Sequence, residues 1–258
     1  MKITCLIENT ASDKRFAAEH GLSLFIETGN KKILFDMGQT ENFAINADKL
    51  GINLSDVDYA ILSHGHYDHG GGLSKFLSIN KKAPVYLNQK AFEPHYNGTE
   101  KYIGLDISVC GNDRLIFADE YAQILPNIFL HSCNGKKTVI DTDSGGLTNF
   151  INNQFIPDDF AHEQYLMIEE NGKKILFSGC SHKGIINICE WFRPDVLIGG
   201  FHYSKYPLDG KLGFYCEKLN DYDIEFYTCH CTGTEQFEFM KKSVKKLSYI
   251  SSGDVIEI

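Results

Sequence analysis

The stretch Ser63–Gly72, SHGHYDHGGG, is the most informative part of this sequence. It places three histidines and one aspartate within six consecutive positions. The residues before it, Tyr59–Leu62, are apolar and predict a buried strand. The three glycines after it let the chain turn sharply and let a ligand approach the backbone. The pattern therefore predicts a site in a strand-to-helix loop, at the carboxyl end of a strand, where open α/β sheets place their ligands.

The spacing of these polar residues indicates that they bind metal. His64 and His66 are two residues apart, so in an extended segment their side chains point to the same side and can share one ion. Asp68 and His69 follow after the chain has begun to turn, and they can face a second ion. Imidazole nitrogen and carboxylate oxygen suit zinc, iron or manganese. The alternative, a solvated histidine-rich loop, is disfavoured by the three adjacent glycines.

The His-x-His-x-Asp-His arrangement resembles the metal-binding signature of the metallo-β-lactamase superfamily. This resemblance implies an α/β protein built as a four-layer αββα sandwich, with a mono- or dinuclear metal site at one edge. In that superfamily an Asp-x-Gly motif at the end of an earlier strand lies under the metal site. The resemblance assigns this role to Asp36, as a residue that hydrogen-bonds the histidine loop and does not bind metal itself.

Length and charge limit the remaining classes of protein. The 258 residues suffice for one such sandwich, so we expect residues 1–258 to form a single domain. The strand pattern loosens around residues 88–160, where we expect an insertion that shapes a pocket. The net charge of −9 argues against a nucleic-acid partner, because phosphate backbones require clustered Lys and Arg.

The apolar segments and the cysteines indicate where in the cell the protein is expected to be located. No apolar run approaches the roughly 18 residues of a membrane helix, and the first residues predict a strand and not a signal peptide. The eight cysteines include no Cys-x-x-Cys pair. We therefore expect a cytoplasmic protein with reduced thiols, with a small-molecule substrate and no membrane partner.

Three later predicted strands also end in loops that carry a histidine. These residues are His182, His202 and His230. Because ligands converge where strands end at a common sheet edge, this repeated placement favours a functional role. By resemblance to the superfamily, His230 completes the metal position that contains Asp68 and His69.

The remaining ligand of the His64/His66 position has more than one candidate. His162 precedes a strand, where many superfamily members carry their third histidine, whereas His182 follows the next strand. Near the latter place most members carry a bridging Asp and some lactamases carry a zinc-bound Cys, which corresponds here to Cys180. We favour His182 as the ligand, with His162 and Cys180 as alternatives. Without the usual bridging Asp, the sequence leaves open whether one ion or two are bound.

Three short motifs narrow the resemblance to one branch of the superfamily. The segments 179–184 (GCSHKG), 199–202 (GGFH) and 230–233 (HCTG) are similar to those of the dihydropterin ribofuranosyl-aminobenzene phosphate synthase family. A helix predicted to begin at Ser181 would offer backbone N–H groups to an anion. We therefore expect Ser181, Lys183 and His202 to bind a phosphate-bearing substrate.

These residues together favour metal-dependent hydrolysis. Two divalent ions, with zinc favoured over manganese or iron, would bind a hydroxide nucleophile that Asp68 orients. Histidine and not glutamate at His66 disfavours the diiron redox branch. The predicted function is hydrolysis of a small phosphorylated or ester substrate. The alternatives are a synthase-type transferase and a non-catalytic metal-binding protein with a closed coordination sphere.

Overall fold

The computed structural model describes residues 1–258 and contains two large β-sheets, a small third sheet and six α-helices. The strands are, in chain order, β1 (Lys2–Ile7), β2 (Ser23–Thr28), β3 (Lys31–Phe35), β4 (Tyr59–Ile61), β5 (Val85–Asn88), β6 (His95–Asn97), β7 (Lys101–Tyr102), β8 (Leu115–Ala118), β9 (Tyr121–Leu125), β10 (Ile128–His131), β11 (Leu147–Ile151), β12 (Gln154–Pro157), β13 (Tyr165–Glu170), β14 (Lys173–Ser178), β15 (Val196–Gly199), β16 (Glu225–Thr228), β17 (Leu247–Tyr249) and β18 (Val255–Glu257). The helices are α1 (Asn42–Lys49), α2 (Tyr67–Gly70), α3 (Leu73–Ile79), α4 (Ile185–Phe192), α5 (Gly210–Leu219) and α6 (Thr234–Met240). Short 3-10 turns occur at Leu54–Asp56, Ile107–Val109 and His230–Thr232.

The strand order explains how distant loops meet. One sheet has the order β18-β1-β2-β3-β4-β5-β8 and the other β17-β16-β15-β14-β13-β10-β9, while β12-β11-β6-β7 form the small sheet. Strands β14, β15, β16 and β17 pair in parallel, as do β3, β4, β5 and β8. Because parallel neighbours have their carboxyl ends at the same edge, the loops after β14, β15 and β16 leave the second sheet side by side.

Side chains alternate between two faces along each central strand, and this alternation builds the layers. In β14, Leu176 packs with the helical layer of α4–α6, whereas Ile175 and Phe177 pack in the core between the two sheets. In β4, Ala60 likewise faces α1 and α3, and Ile61 faces the inter-sheet core. The order helices, sheet, sheet, helices confirms the predicted four-layer αββα fold.

Local sequence accounts for the two hairpins next to this core. Gly29 and Asn30 connect β2 to β3, and Asn171 and Gly172 connect β13 to β14. Asn171 and Gly172 have φ values of 53° and 77°. A tight two-residue hairpin loop needs positive φ at both positions, which Asn and Gly adopt at the lowest cost.

The start of α4 differs from the sequence-based expectation. A helix was expected from Ser181, but α4 begins at Ile185. Ser181 and Gly184 have φ values of 59° and 88°, so neither residue has helical geometry. The intervening loop is therefore irregular and carries His182 and Lys183 before the helix starts.

The segment from residue 88 to 160 contributes to all three sheets. It supplies every strand of the small sheet, and β8, β9 and β10 extend the two large sheets. No helix in the molecule combines the length and the apolar character that a membrane crossing requires.

Candidate metal centre

The strand-end loops bring the predicted ligands into two adjacent clusters. In each cluster, one ligand atom from every residue lies within 4.8 Å of those of the others, and every residue is buried. We call the set His64, His66 and His182 the first cluster and the set Asp68, His69, Cys180 and His230 the second cluster.

In the second cluster two imidazole nitrogens face each other at short range. His69 Nε2 lies 3.2 Å from His230 Nε2. The opposite nitrogens already have acceptors, since His69 Nδ1 lies 2.6 Å from Asp36 Oδ2 and His230 Nδ1 lies 2.8 Å from Asn9 Oδ1. With a proton on each Nδ1, both Nε2 lone pairs point to one place, and a cation there stabilises them. The residues present thus fit a metal ion.

Nearby carboxylates reinforce this preference for positive charge. Asp68 Oδ2 lies 3.3 Å from His230 Nε2 and 3.7 Å from His69 Nε2. Although burial lowers it, the Asp36 and Asp68 carboxylates raise the pKa of His69 to about 9. Cys180 Sγ completes the set at 3.2 Å from His69 Nε2.

The first cluster shows the same feature. His64 Nε2 lies 3.3 Å from His182 Nε2, while His64 Nδ1 contacts Ser63 Oγ at 2.8 Å. His66 Nε2 and His182 Nδ1 are buried without a hydrogen-bond partner. Burial lowers the pKa of His64, His66 and His182 well below the usual value, so these rings are neutral and can bind metal.

One buried carboxylate holds the histidine loop from behind. Asp36 Oδ1 accepts from the Ser63 N–H, and Asp36 Oδ2 accepts from Ser63 Oγ, each at 2.7 Å. The same Oδ2 is the partner of His69 Nδ1. Through Ser63, which contacts His64, this one residue reaches a ligand of each cluster.

His162 lies behind the first cluster and not within it. Its Nδ1 accepts from the Gly65 N–H at 2.9 Å, and its Nε2 lies 3.3 Å from Asp158 Oδ2. Both ring nitrogens are therefore engaged by the protein. Of the two candidates for the remaining ligand, His182 lies in a group with both His64 and His66, whereas His162 lies in a separate buried group with His66, His95 and Asp158.

The backbone N–H groups predicted to bind a substrate phosphate face an internal carboxylate. Glu163 Oε1 accepts from the His182 N–H at 2.8 Å, and Glu163 Oε2 accepts from the Lys183 N–H at 3.1 Å. An anion from the protein itself thus occupies the place assigned to a substrate anion. Glu163 precedes β13 and the loop follows β14, so the contact joins the two open ends of this antiparallel hairpin.

The side chains of this loop are also engaged within the protein. Lys183 Nζ donates to Ser132 O and to Asn134 Oδ1, each at 2.6 Å. Ser181 Oγ donates to Gly200 O at 2.6 Å. This differs from the expected substrate-binding role of Ser181 and Lys183, since their donors are used to hold neighbouring loops together.

Several residues near the clusters were not predicted. Asn9 holds His230, and the signal for it was available, because it follows β1 just as the other site residues follow their strands. His20 lies at the rim, where its Nε2 is 3.2 Å from Asp68 Oδ2 and its side chain is 54% exposed. No motif surrounds His20, so nothing in the sequence distinguished it.

His95 and Asp158 are buried neighbours of His162. The His95 and His162 rings are 3.9 Å apart, and His95 Nδ1 lies 3.1 Å from Asp158 Oδ2. Although burial raises it, hydrogen bonds from His162 and His95 hold the pKa of Asp158 well below its usual range. His95 is thus a fully buried residue of the group that lies behind the His64–His66 loop.

A cavity opens next to the first cluster, on the side of His182 and His202. Aromatic side chains form much of its wall. They are Phe201, Tyr203, Tyr206 and Tyr215. The long middle segment also lines the cavity, with Ile140, Thr142, Asp143 and Gly145.

Fold and site together define an α/β protein whose candidate metal-binding residues gather where the strands of an αββα sandwich end. The sequence matches the metallo-beta-lactamase superfamily over residues 18–213. The chain belongs to this superfamily, which confirms the resemblance inferred from the histidine motif.

Individual relatives agree with this assignment. The chain is 32% identical over 270 residues to an uncharacterized protein, MJ0448, of Methanocaldococcus jannaschii, covering 97% of this chain and 95% of the relative. It is 28% identical over 285 residues to the 7,8-dihydropterin-6-methyl-4-(beta-D-ribofuranosyl)-aminobenzene-5'-phosphate synthase of the same organism, covering 100% and 96%. The crystal structure of Tm1679, described as a metal-dependent hydrolase of the beta-lactamase superfamily, has a TM-score of 0.84 at 30% identity, covering 100% and 99% of the two chains.

Proposed function

We propose that this protein is a metal-dependent hydrolase of a small phosphorylated or ester substrate. The observation that carries the proposal is the pair of facing nitrogens in each cluster, His69/His230 and His64/His182. Two adjacent groups of this kind provide donors for two divalent ions. Zinc is favoured because imidazoles are joined by the Cys180 thiol, and manganese or iron are the alternatives.

Residues His64, His66 and His182 would hold one ion, and Asp68, His69, His230 and Cys180 the other. Ions bound in this way supply a hydroxide nucleophile at neutral pH and polarise a phosphoryl or carbonyl oxygen. Asp68 has the catalytic role, because its carboxylate faces both the ligand His230 and the rim of the site.

The other residues hold these groups in place. Asp36 and Asn9 fix the protonated Nδ1 atoms of His69 and His230, so that both Nε2 atoms remain free to coordinate. His20 contacts Asp68 and is half exposed, so it connects that carboxylate with solvent and can carry a proton between them.

The cavity beside His182 and His202 is the place where we locate the substrate. A reacting group at its inner end would lie next to the first cluster. The phosphate is not placed on the loop of Ser181 and Lys183, because Glu163 and other protein groups use those donors.

The experiment is a hydrolysis panel with protein stripped of metal and reloaded with Zn²⁺, Mn²⁺ or Fe²⁺. The panel contains a phosphomonoester, a phosphodiester and a carboxylic ester. We expect metal-dependent turnover of at least one class and its loss in Asp68→Asn, while Asp48→Asn at an exposed position retains it. Turnover that persists unchanged in Asp68→Asn or after chelation would contradict the proposal.

A second candidate is a synthase-type transferase that joins a dihydropterin to an aminobenzene ribofuranosyl phosphate. The tyrosine-rich cavity wall favours it, since a flat heterocycle stacks on such rings, and so does the similarity to the synthase of M. jannaschii. The test is incubation with both substrates, the dihydropterin carrying a diphosphate leaving group. Diphosphate release that requires both substrates supports the transferase, whereas release without the second substrate supports the hydrolase. Metal binding without turnover in either assay would leave the non-catalytic alternative.

A further inference from the structure

Each of the three glycine-containing motifs contributes one soft or borderline ligand to a third cluster. The GCSH motif supplies Cys180, the GGFH motif supplies His202 and the HCTG motif supplies Cys231. These residues follow β14, β15 and β16, three neighbouring parallel strands whose carboxyl ends lie side by side. The proposed function uses only Cys180 of the three as a ligand.

The spacing of the three ligand atoms approaches that of a coordination sphere. The sulfur atoms of Cys180 and Cys231 and a ring nitrogen of His202 lie within 4.8 Å of one another. Ligand atoms around a tetrahedral zinc ion lie roughly 3.8 Å apart, given Zn–S bonds of about 2.3 Å. Side-chain shifts of about 1 Å would therefore bring the three ligand atoms to coordination distance of a single ion. Both cysteines are buried free thiols.

His202 is held in an unusual conformation with an unsatisfied nitrogen. Its φ is 58°, a region that costs a residue with a side chain about 1–3 kcal/mol. Its Nδ1 is buried and has no hydrogen-bond partner. A positive φ and an unpartnered ring nitrogen, in a histidine whose imidazole lies within 4.8 Å of two thiols, together point to a bound ligand.

Two features of the surrounding backbone accommodate the sulfur atom of Cys231. The His202 N–H donates to Cys231 Sγ at 3.3 Å, as amides do toward metal-bound thiolates. A β-carbon at Gly200 would overlap the same sulfur atom, so glycine is required for Cys231 to reach this place. The Cys231 thiol lies 3.4 Å from Cys180 O, which keeps it beside the second cluster.

We propose that Cys180, Cys231 and His202 form a further metal site, selective for a thiophilic divalent cation such as Zn²⁺. Two thiolates and one imidazole are a ligand set that zinc prefers over manganese or magnesium. Each thiol gives up its proton when the cation binds. Cys180 faces both this site and the second cluster, so its sulfur bridges the two. The proposal does not depend on hydrolysis, because His202 and Cys231 are absent from the first and second clusters.

The test loads metal-stripped, full-length protein with Co²⁺ and measures two quantities. These are the number of ions bound per chain and the near-ultraviolet absorption that thiolate–cobalt bonds produce. We expect Cys231→Ser to bind about one ion fewer than the wild type and to lose part of this absorption. We expect the same loss of an ion in His202→Ala. A wild-type count and absorption in Cys231→Ser would overturn the proposal.

Matched controls separate this site from its neighbours. Cys229→Ala removes a buried thiol two residues away that faces the inter-sheet core, and it should change neither quantity. If His202→Ala keeps the wild-type count and only weakens substrate binding, His202 is a substrate contact and the proposal fails. If Cys231→Ser does not fold, X-ray absorption at the zinc edge is measured on the wild-type protein loaded with zinc. This measurement reports the average number of sulfur atoms around each zinc ion. With the site, three ions share three zinc–sulfur contacts, so an average of about one sulfur per zinc supports it. Without it, Cys180 alone serves two ions, so an average of about one sulfur per two zinc ions overturns it.

Discussion

The carboxylate of Asp36 and the imidazole of His69 form a buried pair, with Asp36 Oδ2 2.6 Å from His69 Nδ1 and neither side chain exposed to solvent. The pair fixes which nitrogen of His69 carries the proton and leaves Nε2 for the second cluster. Because Asp36 also holds Ser63, and Ser63 contacts His64, the same carboxylate influences the first cluster. Loss of the Asp36 carboxylate should therefore weaken metal binding at both candidate positions.

Asp36→Asn should weaken metal binding by about 10–100-fold, the usual effect of losing an outer partner of a ligating histidine. An asparagine side chain has one acceptor oxygen, whereas the Asp36 carboxylate offers two oxygens to Ser63 and His69. The measurement is a competition titration of Zn²⁺ against a chromophoric chelator. Asp48→Asn, at an exposed position on α1, is the control. Equal affinities of Asp36→Asn and the wild type would show that Asp36 does not support the metal centre.

His182→Ala and His162→Ala should have different effects on metal content. His182 belongs to the first cluster, so its loss should reduce the bound metal by about one ion per chain. His162 uses both nitrogens within the protein, so its loss should lower affinity through the Gly65 loop while the count at saturating metal stays the same. The measurement is metal content per chain at saturating Zn²⁺. The opposite pattern would make His162 the ligand.

The sequence predicted those parts of the site that local pattern determines. An apolar strand followed by polar residues marked the ends of β4, β14, β15 and β16, and each of these ends contributes residues to the groups of candidate metal ligands. The four-layer fold was implied by the resemblance of the His-x-His-x-Asp-His motif to the metallo-β-lactamase superfamily. These features depend on neighbours in the chain, which is why they could be read from it.

The missed features depend on contacts between distant residues. Asp158 and His95 meet because β11 pairs with β6 on one side and with β12 on the other, and no sequence periodicity predicts this pairing. Ser181 was expected to cap a helix, but its hydroxyl bonds Gly200 O, which belongs to the next strand end. Glu163 reaches the same loop from across a hairpin. In each case a contact between residues far apart in the sequence determined the local structure, and the local sequence pattern did not.

Lys183→Met should reduce stability and leave substrate affinity unchanged. The buried ammonium donates to Ser132 O, Asn134 Oδ1 and Glu163 O, and their loss should lower the free energy of unfolding by about 3 kcal/mol. Lys173→Met, at an exposed position on β14, should cost less than about 0.5 kcal/mol. The measurements are urea unfolding and KM. A stable Lys183→Met protein with a strongly raised KM for a phosphorylated substrate would restore the substrate-binding role.

Asp158 should contribute to stability in a pH-dependent way. Because hydrogen bonds from His162 and His95 outweigh burial and hold its pKa below the unfolded value of about 3.9, its contribution is complete above that pH and is lost as the pH falls further. Asp158→Asn should therefore lower the free energy of unfolding of metal-free protein by about 1–3 kcal/mol at neutral pH. It should also flatten the loss of stability as the pH falls below about 3.9. Parallel pH curves for wild type and Asp158→Asn, offset by a constant, would show that the charge of Asp158 is not the cause.

Tyr215→Ala tests whether the aromatic cavity binds substrate. Tyr215 lines the cavity near His182 and His202 but belongs to no metal cluster, so its loss should raise KM for an aromatic substrate roughly tenfold and leave kcat and metal content unchanged. Phe214→Ala removes the adjacent exposed ring, which lies outside the cavity, and should change neither constant. The kinetics should be measured with a pair of substrates that differ only in whether the leaving group is aromatic. If the Tyr215→Ala effect is equal for both members of the pair, the tyrosines shape the cavity without stacking on the substrate.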